Sequence, residues 1–142
     1  MLMEKLFIGL LMSAVSAVGL VACGGDGNGD LPPTGPTAGT FAVTLSTPNA
    51  DDGAIVFRVN GPGITQITNG NPAHYMHFDQ AGSAVTVVIV GDLEDGTLLT
   101  FRVPDVDAAS SYSATVLEVA DRTNELRGSV GTYGLSVGQV SG

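Results

Sequence analysis

The sequence predicts an all-β domain, an antiparallel β-sandwich of seven to eight strands over residues 40–142. Three observations predict it. From Thr40 onward apolar residues recur at every second position, which is the period of a half-buried strand. Clusters of Gly, Pro, Asn and Asp interrupt these runs at short intervals, the punctuation of an all-β chain. No stretch carries an apolar stripe at a period of 3.6 residues, so no amphipathic helix competes.

Each element can be justified in order. Phe41, Val43 and Leu45 alternate with Ala42, Thr44 and Ser46. Asp51-Asp52-Gly53 then reads as a turn. Ile55, Phe57 and Val59 alternate with Ala54, Val56 and Arg58 before the turn residues Asn60-Gly61-Pro62-Gly63. Ile64 to Thr68 is a weaker strand, closed by Asn69-Gly70-Asn71-Pro72. Met76 and Phe78 alternate with Tyr75, His77 and Asp79, and Ala81-Gly82 turns the chain. Ala84 to Val90 is almost wholly β-branched and apolar on both faces, which suits a central strand buried on both sides. After Asp95-Gly96, Leu99, Phe101 and Val103 alternate with Thr100 and Arg102 up to Pro104-Asp105. Tyr112 to Val119 and Tyr133 to Val137 supply the last runs. The expected core includes Phe41, Phe57, Phe78 and Phe101.

About a hundred residues in this many strands fits an immunoglobulin-like or jelly-roll sandwich. A true immunoglobulin domain is disfavoured, because its Cys pair and Trp are missing. The segment VGDLEDGTLLTFRVPDVDAASSYSATVLEVAD, from Val90 to Asp121, loosely resembles the latter half of cohesin-type modules. There a strand of the form G-x-L-x-F-x-V precedes a strand bearing Tyr. The resemblance implies a cohesin-like sandwich and does not by itself carry dockerin binding.

Ahead of this domain the composition changes. Met1 to Lys5 is a short polar start, and Leu6 to Ala22 is an apolar run broken only by Ser and Gly. A short apolar core ending at small residues reads as a signal peptide. The alternative, a spanning helix, would sit at the lower length limit and lack a basic flank. Leu20-Val21-Ala22-Cys23 resembles the lipobox of bacterial lipoproteins. That resemblance implies cleavage between Ala22 and Cys23, a diacylglyceryl thioether on Cys23, and acylation of the new amino group. Two or three acyl chains hold a protein to a bilayer where one holds weakly. Gly24, in place of an Asp, implies by the same resemblance transfer to the outer membrane. Glu4 beside Lys5 departs from the usual basic start.

Residues 24–39 are dominated by Gly, Pro, Asp and Thr, with Leu31 the only large apolar residue. Such a segment buries too little to offset chain entropy and reads as a flexible tether. It would span about 20–25 Å on average and roughly 55 Å when stretched.

Composition excludes several chemistries. The chain of 142 residues has 5 basic and 14 acidic side chains, a net charge of −9. Glu4 and Lys5 leave together with the leader, so the mature charge is unchanged. This balance argues against nucleic acid, which needs clustered Lys and Arg. The single Cys excludes an intrachain disulfide and a cysteine zinc cluster. Lys5 is the only Lys, so the mature chain has no Schiff-base or P-loop lysine.

Four groups of residues remain as candidates. His74 and His77 are three apart, which on a strand points them to opposite faces, so they are not expected to form a metal pair. A serine hydrolase would need one of them as its base. Asp92, Glu94 and Asp95, like Asp51-Asp52 and Asp105-Val106-Asp107, offer hard oxygens for calcium, although Asp and Gly here also serve turn geometry. Tyr75, Tyr112 and Tyr133 are candidate ligand platforms or hydroxyl-bonded edge residues. Arg58 and Arg102 lie on outward positions and are expected to pair with acids on neighbouring strands. The functional expectation is a lipid-anchored, non-catalytic sandwich of the cell envelope with an interaction or structural role. Its rivals are a carbohydrate- or calcium-dependent adhesion module, with a glycan or an envelope protein as partner, and a hydrolase.

Overall fold

A computed structural model describes residues 35–141; the leader, Ala22, Cys23 and most of the tether lie outside the described residues. Among the described residues eight strands build two antiparallel sheets of four strands each. The strands are β1 (Gly39–Ser46), β2 (Asp52–Asn60), β3 (Thr65–Asn69), β4 (Tyr75–Ala81), β5 (Ala84–Val90), β6 (Gly96–Val103), β7 (Ser113–Asp121) and β8 (Gly134–Gln139). One sheet has the order β3-β6-β1-β8 and the other β4-β5-β2-β7. The chain crosses between sheets at every connection except the β4–β5 hairpin. That hairpin turns on Gly82-Ser83, with Ala81 opposite Ala84. Gly82 has φ +62°, as a two-residue hairpin requires at its first central position.

The core lies between the sheets and follows the alternation. Phe41, Val43 and Leu45 of β1 face Ile55, Phe57 and Val59 of β2, joined by Val85, Val87 and Ile89 of β5. Phe101 and Val103 of β6 complete it, with Leu98 and Leu99 both buried. Two successive inward residues break the period of two, and a bulge explains them. Val43 pairs with Leu99 and Thr44 with Thr97, which leaves Leu98 as the extra residue.

Several expectations need correction. Asp52 does not sit in a turn; it opens β2 and is fully buried. The β5 strand is central, yet its outer face is not covered: Val88 is half-buried and Val90 is 45% exposed. Phe78 alternates with the inward set but is 39% exposed, because β4 is the outermost strand of its sheet and has sheet on one side only. Tyr112 lies just before β7, after a short 3-10 turn at Ala109–Ser111, and Tyr133 just before β8. Thr37, inside the predicted tether, already belongs to the domain. Its N–H donates to the Asp105 carboxylate (3.3 Å), and its carbonyl accepts from Val106 N–H (2.8 Å).

Candidate functional site

The densest polar cluster is built around Asp52, where the β1–β2 connection enters β2. Burial strips this carboxylate of water, so its oxygens must find protein donors. Oδ2 accepts from the Thr47 hydroxyl at 2.6 Å. Oδ1 accepts from Arg127 Nε at 2.9 Å and from the Tyr133 hydroxyl at 3.0 Å. Arg127 also reaches Asp51 through Nη2. Asn49 Nδ2 in turn donates to the Tyr133 oxygen at 2.7 Å. The backbone closes the cluster: Asp52 carbonyl accepts from Leu93 N–H (3.0 Å) and Asp51 carbonyl from Arg122 N–H (2.9 Å).

The carboxylates hold Arg127 further above its already high range, chiefly through the hydrogen bond to Asp52. Burial pushes the Tyr133 hydroxyl up, and its bond to Asp52 adds to this, while Asn49 works against it. The cluster sets one guanidinium against two carboxylates, and both oxygens of the buried Asp52 are occupied. Its chemistry is cross-linking: it ties the loop 47–51, the segment after β7 and the residue before β8 into one end of the sandwich.

The other predicted residues are placed singly. Tyr112 is buried against Phe41 and Phe101, and its hydroxyl donates to the Pro62 carbonyl at 2.6 Å. The close approach of the 61–63 turn to this ring needs a glycine, since a Cβ on Gly61 would overlap the Tyr112 ring. Tyr112 is raised by burial first and by the Asp105 charge second. Tyr75 alone of the three tyrosines is open, at 65%.

These two raised hydroxyls carry a prediction. A tyrosine whose folded value exceeds its unfolded value near 10 supports the fold below that value. The support is lost as pH rises through the folded value. Absorbance titration should therefore show two tyrosines ionising above the ordinary range, accompanied by alkaline unfolding. Tyr112→Phe and Tyr133→Phe should each remove one late-titrating group. A single transition of all three tyrosines near 10 would contradict this placement.

His74 is not on a strand, so the expected alternation of faces does not apply to it. It lies in the turn before β4, with Nε2 at 2.9 Å from the Asp92 carbonyl and 3.3 Å from Asn71 Nδ2. The carbonyl partner assigns the proton to Nε2. Nδ1 is buried without a partner. His77 stands exposed on β4. The two histidines are thus not brought together.

Nor are the loop carboxylates. Asp92 pairs with Arg122 at 3.0 Å, and Asp95 accepts from Thr47 N–H at 2.7 Å. Asp105 Oδ1 accepts from Asp107 N–H at 3.1 Å. Among the described residues no three His, Asp or Glu side chains converge as metal ligands. Arg58 and Arg102 do not form the expected ion pairs among these residues. Arg58 sits between Thr86 and Thr115, and Arg102 between Thr40 and Thr65, with no acid directly opposite. The loop arginines, 122 and 127, take the carboxylates instead.

No family model, curated protein or solved structure matches the chain.

Sequence reasoning missed Arg127, Thr47 and Asn49 as partners of Asp52. Asp52 and Arg127 are 75 positions apart, and no local spacing marks such a pair. A second motif escaped it too. Gly134-Leu135-Ser136-Val137-Gly138 has the letters of the G-x-S-x-G nucleophile elbow. The elbow needs a sharp strand-to-helix turn to present its serine. Here the pentapeptide lies within extended β8, with Ser136 paired to Thr44.

Proposed function

We propose that the chain is a lipid-anchored protein of the bacterial cell envelope that displays a non-catalytic β-sandwich for protein interaction or a structural role. The reading rests on the Leu20-Val21-Ala22-Cys23 lipobox at the end of an apolar leader, set before a Gly- and Pro-rich spacer. The geometry of the domain supports the non-catalytic part. The one buried carboxylate among the described residues is occupied by Thr47, Arg127 and Tyr133. Two of the three tyrosines are committed to internal bonds through their hydroxyls. Lipid on Cys23 and the spacer would hold this rigid acidic unit close to the outer membrane and leave its faces free for a partner.

Metabolic labelling tests the anchor. The full chain expressed in a bacterium should incorporate labelled palmitate and lose its leader, giving a mature chain that begins at Cys23. Cys23→Ser should incorporate no label and keep the leader. A wild-type chain without label, or a Cys23→Ser chain labelled equally, would overturn the reading.

A further inference from the structure

The four outer strands are not equally protected. An exposed strand edge is a template for another strand, and proteins blunt such edges with Pro, Lys, bulges, shortness or cover. β3 has five residues, an irregular register between Thr65 and Thr68, and Gln66 at φ +47°. The outer edge of β7 is covered at its C-terminal end, because Val119 carbonyl accepts from Arg127 N–H (2.8 Å) and Ala120 bridges to Leu126, and its pairing with β2 is broken by a register shift between Val56 and Phe57. β8 has glycine at two of its six positions. β4 has none of these devices. It runs seven residues, YMHFDQA, in unbroken register with β5, without Pro, Gly, Lys or Arg.

The direction of its free backbone groups follows from β5. Gly91 N–H donates to Gly53 carbonyl and Ser83 carbonyl accepts from Gly61 N–H, both at 2.9 Å. Odd-numbered residues of this strand and its extension therefore bond toward β2. Even-numbered residues of β5 bond toward β4, where they meet Tyr75, His77, Asp79 and Ala81. That leaves the N–H and C=O of Met76, Phe78 and Gln80 pointing away from the sheet.

We propose that β4 pairs with β4 of a second copy, antiparallel about Phe78, to join two four-stranded sheets into one of eight. The register is chosen by side chains as well as by backbone. Phe78 then pairs with Phe78 of the second copy, and Met76 with Gln80, through the free backbone groups. His77 falls opposite Asp79 at the non-hydrogen-bonded positions, where facing side chains come closest. An imidazole N–H thus meets a carboxylate twice across the seam. The pairing also gives the 39% exposed Phe78 an apolar neighbour. The chain carries −9, but the seam itself holds one His and one Asp per copy. At physiological ionic strength repulsion between more distant charges is screened over about 8 Å.

Cysteine cross-linking of the full chain tests this. Hydrogen-bonded antiparallel partners lie about 5.5 Å apart at Cα, within reach of a disulfide. Phe78→Cys should form a disulfide-linked dimer under mild oxidation at physiological salt. Ser136→Cys on β8, and the unaltered chain with Cys23 alone, should give only background. In the Phe78→Cys chain, His77→Asp should reduce the linked fraction several-fold, and adding Asp79→His should restore it. Positions 77 and 79 are exposed, so circular dichroism should be unchanged. Cross-linking of Phe78→Cys no greater than that of Ser136→Cys overturns the proposal, as does cross-linking indifferent to the exchange of charges. Cys23→Ser combined with Phe78→Cys should still cross-link, which separates this pairing from the lipid anchor.

Discussion

Phe41→Ala should destabilise the domain by about 4 kcal/mol, the cost of truncating a fully buried aromatic. Phe41 has no exposed surface. Its ring meets Phe101 edge-on at 6.0 Å and Tyr112 at 5.1 Å, at interplanar angles of 83° and 90°. Those contacts join two neighbouring strands of one sheet, β1 and β6, to the turn that precedes β7 of the other. Phe41 also sits on β1, which is bonded to β6 on one side and β8 on the other, so the vacated space cannot close by moving one edge strand. Phe41→Leu keeps most of the volume and should cost about 1.5 kcal/mol or less. Urea unfolding provides the measurement, with the midpoint falling and the slope unchanged. A loss below about 1.5 kcal/mol for the Ala variant would show that this aromatic trio is not the centre of the core.

Asp52→Ala should cost about 3 kcal/mol, because removing one member of a buried ion pair strands the others. Thr47 and Tyr133 would lose their acceptor, and Arg127 would keep only Asp51, on the exposed side. Asp52→Asn preserves the shape and one acceptor oxygen and should fall between Ala and wild type. A double-mutant cycle with Arg127→Met separates the pair from its surroundings. The double variant should be less destabilised than the sum of the single ones, since neither charge is left alone. Strict additivity would mean that Asp52 acts through packing and that the network carries no coupling.

The strands were largely legible because a sandwich writes its inner face into the sequence at every second residue. Phe41-Val43-Leu45 and Ile55-Phe57-Val59 point inward as their alternation requires. Legibility stopped where long-range pairing decides. The Leu98 bulge depends on how β6 registers against β1, and Leu98-Leu99 reads equally well as one strand face with an apolar neighbour. Phe78 reads as core because alternation gives a face but not a place in the sheet, and β4 is an edge strand. Asp51-Asp52-Gly53 has the composition of a turn. Only the arrival of Arg127 and Tyr133 from the far end of the chain lets Asp52 be buried. Arg58 and Arg102 show the converse: outward positions on strands do not supply a carboxylate partner by themselves.

The entry point of the chain has a mechanical consequence. Past the bonds of Thr37, the chain enters β1 at Gly39, an inner strand paired at seven positions with β6 and at six with β8. A pull through the preceding residues, against a load held at the Ser46 end, runs along the β1 axis. It stretches both ladders in parallel, so their bonds must fail together in shear. An edge strand pulled from its end would instead peel one bond at a time. Resistance to such a pull is a rate, set by the barrier to unfolding. The position of β1 therefore makes its N-terminal end the point at which this domain best resists a lengthwise pull.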